Sequence, residues 1–421
     1  MIIMNTFFTK KISLNLALVL IMQACFLFVG CDSKKNSEVD VNTKFTKIYD
    51  NQHFSDSYLP IDVQQNSDGS YIFLCRTRTS TSSFYGIYIM LADKNGTFVS
   101  EQLLGADFVS PLNKLMKVGQ YYYFICMNSL TLNTRLMQVS EAGVVQEVTQ
   151  INGVIYPLAV SVDESGLFVL QHYDRDDKKT LISKISTSGA ITASNEFSVS
   201  YGDLDIEQIV IDHLTGNGKQ LPFLTGSLGN GTYFFNGYYN YSLSTVFFSF
   251  GNNGKGVLQG YNNERCISSM LYLGANKFAI SRYGYGDNYI ITNASISSAN
   301  GAVASSSDIT GNNILQMEPD ALVVLQQISI NGKSTLLYGF NTKDNQIGIY
   351  AYDAASGSFL GSTYLGYSNP YKIANFVATQ DNGLAVAGTV EVSGRFPRVC
   401  LFKLSPDDLT ALISGGKTTG Q

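Results

Sequence analysis

Tryptophan is absent, histidine occurs three times and proline eight times, and only 14% of the chain is charged. The poverty of charge excludes a disordered or coiled-coil chain, both of which need far more. After Lys10-Lys11 no basic run exceeds two residues, and the chain past residue 30 holds 26 basic against 33 acidic residues. Such a surface has no electrostatic footprint for nucleic acid. The histidines, His53, His172 and His213, lie far apart, with no H-x-H or H-E-x-x-H among them. No zinc site is expected, and no other metal or cofactor. Asp174-Arg-Asp-Asp177 lacks the spacing of a calcium loop and reads as a solvated turn, with His172 beside it on a loop surface. There is no G-x-S-x-G elbow and no P-loop.

What the chain has in abundance is tyrosine (26), phenylalanine (25) and glycine (38). Past residue 40, apolar residues alternate with period two and are interrupted by Gly, Asn, Asp and Ser. No apolar stripe at helical spacing stands out. An all-β chain of this length calls for a repeat architecture.

Four-residue turns mark the repeat: Asp93–Gly96, Ser140–Gly143, Ser186–Gly189, Gly251–Gly254, Ser298–Gly301, Ala354–Gly357 and Ser405–Asp408. Six of the seven end in glycine, which supplies the positive φ of a tight hairpin. Their spacing of roughly 45–65 residues suits four strands per unit. Seven units are predicted, at 58–104, 109–149, 155–200, 204–260, 264–308, 312–366 and 370–416. Six or eight are the alternatives. In the long fourth unit, Gln220–Leu228 and Thr232–Asn240 both read as the second strand; in the sixth, Thr335–Gln346 could start an extra unit. Residues 43–49 alternate well and are expected to add an outer strand to the last unit, closing the domain at 43–416 and leaving a tail at 417–421. Cys75, Cys126, Cys266 and Cys400 show no C-x-x-C spacing and read as packed thiols.

Before the repeats, Lys10-Lys11 and the apolar run to Val29 read as a secretory signal over residues 1–30. The run ends in Phe28-Val29-Gly30-Cys31, which resembles the lipobox of bacterial lipoproteins. The resemblance implies cleavage before Cys31, its acylation, and a place in the cell envelope, at the outer membrane. Residues 31–42 would be the lipidated cysteine and a polar tether. The unit from Ala378 to Leu404 resembles the "T-x-D-G-G-Y-x-x-A-G-x-T … K-L-D" blade of secreted and lipid-anchored, Bacteroidota-like β-propellers. Gln65–Cys75 and Ser161–Leu170 are partial copies. That resemblance implies a β-propeller.

In such a ring the glycine turns lie on one face, and the remaining loops, longer and rich in Tyr and Arg, lie on the other. Ligand binding by that second face is expected, through Arg76, Tyr85, His172, Tyr239, Tyr241, Arg282, Tyr283, Tyr285 and Arg395. The partner would be a glycan or an envelope protein, and loss of Tyr239, Arg282 and Tyr283 should weaken capture without changing stability. A polysaccharide hydrolase or lyase would need facing carboxylates, for which Glu207, Glu264 and Asp287 are available, or convergence of Arg76, Arg282 and Arg395. A scaffold of an outer-membrane complex is the third reading.

Overall fold

Alternating apolar strands joined by tight turns can bury one face only against another sheet, and the structure meets that need with a closed ring. The computed structural model describes residues 43–50, 57–78, 82–199, 205–392, 396–415 and 418–419. The signal segment, the tether, Cys31 and Arg395 lie outside them.

The described strands form antiparallel meanders, each built outward from an inner strand. Blade one runs Tyr58–Gln65, Tyr71–Thr77, Gly86–Ala92 and Phe98–Leu103. Blade two runs Met116–Val118, Tyr121–Asn128, Asn133–Val139 and Val145–Ile155. Blade three runs Pro157–Val162, Phe168–Asp174, Lys179–Ile185 and Ile191–Ser198. Blade four runs Leu224–Gly229, Thr232–Tyr239, Ser242–Phe248 and Lys255–Gln259. Blade five has Arg265–Gly274, Lys277–Gly284 and Asp287–Ser295, edged by the short Asn312–Asn313. Blade six runs Val324–Ile330, Lys333–Asn341, Ile347–Asp353 and Phe359–Leu365. Blade seven has Tyr371–Ala378, Leu384–Val390 and Arg398–Leu404. Its outer strand is the amino-terminal Phe45–Tyr49, paired antiparallel with Ile48 opposite Cys400.

A separate apolar core fills each blade-to-blade interface. Phe73 and Tyr88 of blade one meet Ala387 and Leu401 of blade seven. Leu74 and Ile89 meet Phe124 and Met137 of blade two. Similar layers join blades two and three at Ile125 and Leu170, three and four at Val169 and Val246, and four and five at Phe247 and Ile280. The last two join at Leu336 with Ala279, and at Ile349 with Val386. The ring is therefore continuous, and the fold is a β-propeller.

Several expectations need correction. Among the described residues two α-helices are present: α1, Ile206–Thr215, and α2, Pro406–Ile413. Ser405-Pro-Asp-Asp408 is not a hairpin turn. Ser405 caps α2, accepting the Asp408 N–H while the Asp408 carboxylate receives the Ser405 N–H. The turn at Ser298–Gly301 leads into Val303–Ser305, which pairs in parallel with Lys255–Gln259 of blade four and not with blade five. The length of the fourth unit belongs to α1: Leu224–Gly229 is the first strand of its blade and Thr232–Tyr239 the second. Thr335–Gln346 falls on the second strand and following turn of blade six. In the tail, Thr418–Thr419 pairs in parallel with Phe359–Leu365. In the Asp93–Gly96 hairpin, glycine is required by φ +72° at Gly96; in blade four that duty falls on Gly251, at φ +74°, and not on Gly254.

Cys75, Cys126, Cys266 and Cys400 are buried free thiols, and burial pushes each one up from its ordinary pKa. A chain starting at Asp32 should therefore be silent to an aromatic disulfide reagent while folded and release four equivalents in denaturant. Rapid reaction of the native protein would show that a blade interface opens easily.

Candidate functional site

The loops joining second to third strands, and each blade to the next, all emerge on one face. Its centre is covered by the chain itself. In the segment between blades three and four, the side chain of Asp205 accepts the Gln208 N–H and starts α1. Ile206, Val210 and Leu214, four residues apart, make one buried stripe, and Gly216 at φ +67° ends the helix. The stripe, with Leu221 and Phe223, packs on Val109, Met127, Tyr156, Tyr173, Tyr238, Leu243, Cys266 and Tyr283, from the connection into blade two round to blade five. Polar contacts extend the span. Ser110 Oγ donates to Leu214 O at 3.0 Å, Tyr156 Oη to Glu207 at 3.1 Å, and Lys219 Nζ to Asn263 O at 3.1 Å and Asp320 at 2.8 Å. The helix thus plugs the mouth of the ring.

This plug changes the meaning of the predicted residues. His172 is not on a loop surface. It lies inside the strand Phe168–Asp174, is buried, and shares a 3.0 Å hydrogen bond with Ser183 Oγ. Burial lowers its pKa to about 4, so it stays neutral. Tyr283 is fully buried under the plug, with Oη donating to Asn263 O at 3.2 Å. Arg282 is buried too, stacked on Tyr289 at 4.0 Å and donating from Nε to Ile309 O at 3.0 Å. Tyr239 is half-buried against the core between blades three and four. Replacing Tyr239, Arg282 and Tyr283 together would thus remove packing, contrary to the expectation above.

Arg76 and Tyr85 are brought together: the Arg76 guanidinium lies 4.6 Å from the Tyr85 ring and that of Arg78 4.1 Å. Arg76 and Arg282 keep separate neighbours, and Arg395 lies outside the described residues. Of the carboxylates, Glu207 is engaged by Tyr156 and stands 3.8 Å from Arg175, while Glu264 and Asp287 are exposed.

Tyr241 and Tyr285 remain open to solvent, and they have company. Leu130, Tyr261, Leu315, Tyr367 and Phe396 are also exposed, and all lie on loops of this face. Tyr261 and Tyr285 approach ring to ring at 6.2 Å, with Arg265 at 5.7 Å from Tyr261. Tyr261 and Tyr367 stand in loops of the Tyr-rich kind, Tyr261–Arg265 and Gly366–Tyr371. Nothing in the sequence distinguished Leu130 or Leu315 from core leucines.

Deeper in, Asp62 joins three blades. It is fully buried and accepts from Val63 N at 2.7 Å, Leu115 N at 2.6 Å and Asn375 Nδ2 at 2.5 Å. Burial raises its pKa to about 6, against the lowering effect of these donors and of nearby Lys114. A bulge between Pro60 and Asp62 turns the carboxylate to this position; Asn375 follows a similar register shift after Ile373.

No family model matches the chain, and no curated protein does. Among solved structures, the β-propeller domain of the Trilobed protease from Pyrococcus furiosus is similar at 11% identity and a TM-score of 0.44, over 84% of this chain and 96% of that one. Virginiamycin B lyase from Staphylococcus aureus is similar at 9% identity and TM-score 0.47, over 86% and 99%. A protein of unknown function from Bacteroides caccae shares 11% identity at TM-score 0.38, over 74% and 94%. Among the described residues no helix is long and apolar enough to cross a membrane.

Proposed function

We propose that this chain is a lipid-anchored cell-envelope β-propeller that docks a protein partner across the rim of its Tyr-rich face. The observation that carries the reading is the distribution of exposed apolar side chains. Apart from those on or beside outer strands, the large ones stand on loops of this face, around a mouth closed by α1. A plugged mouth favours contact across the rim over a ligand inside the ring. Aliphatic Leu130 and Leu315 suit a protein surface better than a sugar, and tyrosine is an economical anchor. The lipobox-like Phe28–Cys31 supports the anchor. The register of Phe45–Tyr49, with Phe45 opposite Lys403 and Tyr49 opposite Val399, starts this strand at the glycine-turn side of blade seven.

A glycan is the second reading, favoured by Tyr261, Tyr285 and Arg265 standing together. Among the described residues the hydrolase and lyase readings have no comparable feature. A photoreactive amino acid at position 285, in cells that make the protein, should give one discrete protein adduct, lost when Tyr261→Ala is added. The same group at Val99, exposed on an outer strand, should give none. Equal labelling from both positions would sink the docking face. No adduct, together with specific glycan binding that Tyr261→Ala abolishes, would transfer the face to carbohydrate.

A further inference from the structure

Where the carboxyl end of α1 meets the connection between blades one and two, a cavity of about 30 Å³ remains. Arg76, Tyr85, Ser110, Asn113, His213 and Gln220 supply its polar lining. No carboxylate is among its lining residues. Among the described residues the buried Nε of Arg76 has no hydrogen-bond partner and its guanidinium makes no ion pair; Tyr85, Arg78 and His213 are the groups whose charge or titration it influences. A guanidinium does not shed its proton in such a place, and although Arg76 is partly exposed and stacks on Tyr85, an anion in the cavity would satisfy its buried Nε and offset its charge.

His213 also offers a hydrogen. His213 Nδ1 accepts the Leu221 N–H at 3.0 Å, which puts the ring proton on Nε2. Burial, and then the charge of Arg76, bring that imidazole down to about 3, so it stays a neutral donor. The carbonyls at this end of α1 that would repel an anion are occupied: His213 O accepts from Gln220 Nε2 at 3.1 Å and Gly216 N at 3.3 Å, and Leu214 O from Ser110 Oγ. The volume admits a halide-sized ion, or the tip of a carboxylate, but not a sugar ring.

We infer that this cavity binds a small monovalent anion between Arg76 and His213, and that the bound anion fastens the plug helix to blades one and two. The site uses residues of both the plug and the blades, so occupancy must favour the docked arrangement. It is independent of the rim and of whatever docks there.

The test uses the chain from Asp32 to Gln421 in sodium gluconate at fixed ionic strength, with chloride, nitrate or formate exchanged in. Melting temperature should rise by a few degrees and saturate with at least one of these anions. Arg76→Met should lose the saturable part, and Arg76→Lys should keep a weaker one. Chloride acting alone identifies a free halide, and formate acting alone a carboxylate. Bromide soaked into crystals gives a second readout that does not depend on how the variants fold: an anomalous peak beside Arg76 is expected where bromide or chloride stabilises. The inference fails if wild type responds equally to gluconate and to all three anions, or if Arg76→Met retains the full saturable rise.

Discussion

A chain that starts at Ser57 should melt far below the full protein and aggregate when concentrated. The missing strand, Phe45–Tyr49, pairs residue for residue with Val399–Lys403 and gives blade seven its outer edge. Tyr49 is buried, packs at 5.8 Å from Phe73 and donates from Oη to Gly96 O at 3.0 Å. Phe45 stands 6.4 Å from Tyr71. Asp50 holds the buried Arg398 at 2.9 Å. Losing two packed aromatics and the partner of a buried charge should cost on the order of 5 kcal/mol or more, a large share of the stability of a single domain. The uncovered strand Arg398–Leu404 would be an unpaired edge, which is the source of the aggregation. Melting followed by circular dichroism, with light scattering, checks both. An unchanged midpoint would mean that blade seven is complete without its amino-terminal strand.

Asp62→Ala should be the most damaging single substitution near the axis. It leaves the N–H groups of Val63 and Leu115 and the amide of Asn375 without their acceptor. At about 1–3 kcal/mol for each of the three abandoned donors, the loss is roughly 3–9 kcal/mol. The wild-type residue also carries a pH signature. Its folded pKa of about 6 lies above the ordinary 3.8, so the folded protein holds this proton more tightly than the unfolded chain. The stability it contributes is greatest in acid, falls as pH rises from about 4 to about 6, and is level above that, a swing of about 3 kcal/mol. Asp62→Asn should be free of this swing. Its amide also presents hydrogens to neighbours that are themselves donors, so it should be weaker than wild type at pH 5, by a margin that narrows toward pH 8. Parallel slopes for the two proteins between pH 4 and 7 would refute the assignment of that titration to Asp62.

The strands were legible because both halves of their logic are local. Period-two alternation marks a strand, and Asp93–Gly96 marks its turn without reference to anything distant. The pairing of residues 43–49 with the last blade followed from the need to remove two edges at once. The plug was harder to see. Its stripe has only Ile206, Val210 and Leu214, short enough to pass for strand residues in a chain full of them, although Asp205 and Gly216 bracket it as cap residues would. The candidate site suffered for the same reason. Arg282 and Tyr283 look like loop residues until the strand Lys277–Gly284 carries them beneath the cover of other segments. Composition says which residue types are suited to contact; exposure depends on what the rest of the chain lays over them. Tyr241, Tyr261 and Tyr285 stay exposed although Lys219 of the plug segment reaches Asn263 in the loop of Tyr261.

The amino-terminal strand also has a mechanical meaning. If Cys31 is held in a membrane, any drag on the domain enters through residue 43 and reaches first the strand that closes the ring. A pull along that strand loads its five register pairs together, in shear, with the Lys44–Asp408 contact at 2.9 Å as the outermost stay. The same segment that seals the propeller would then be its mooring line. Forces that spared the fold would have to stay below the strength of one short strand.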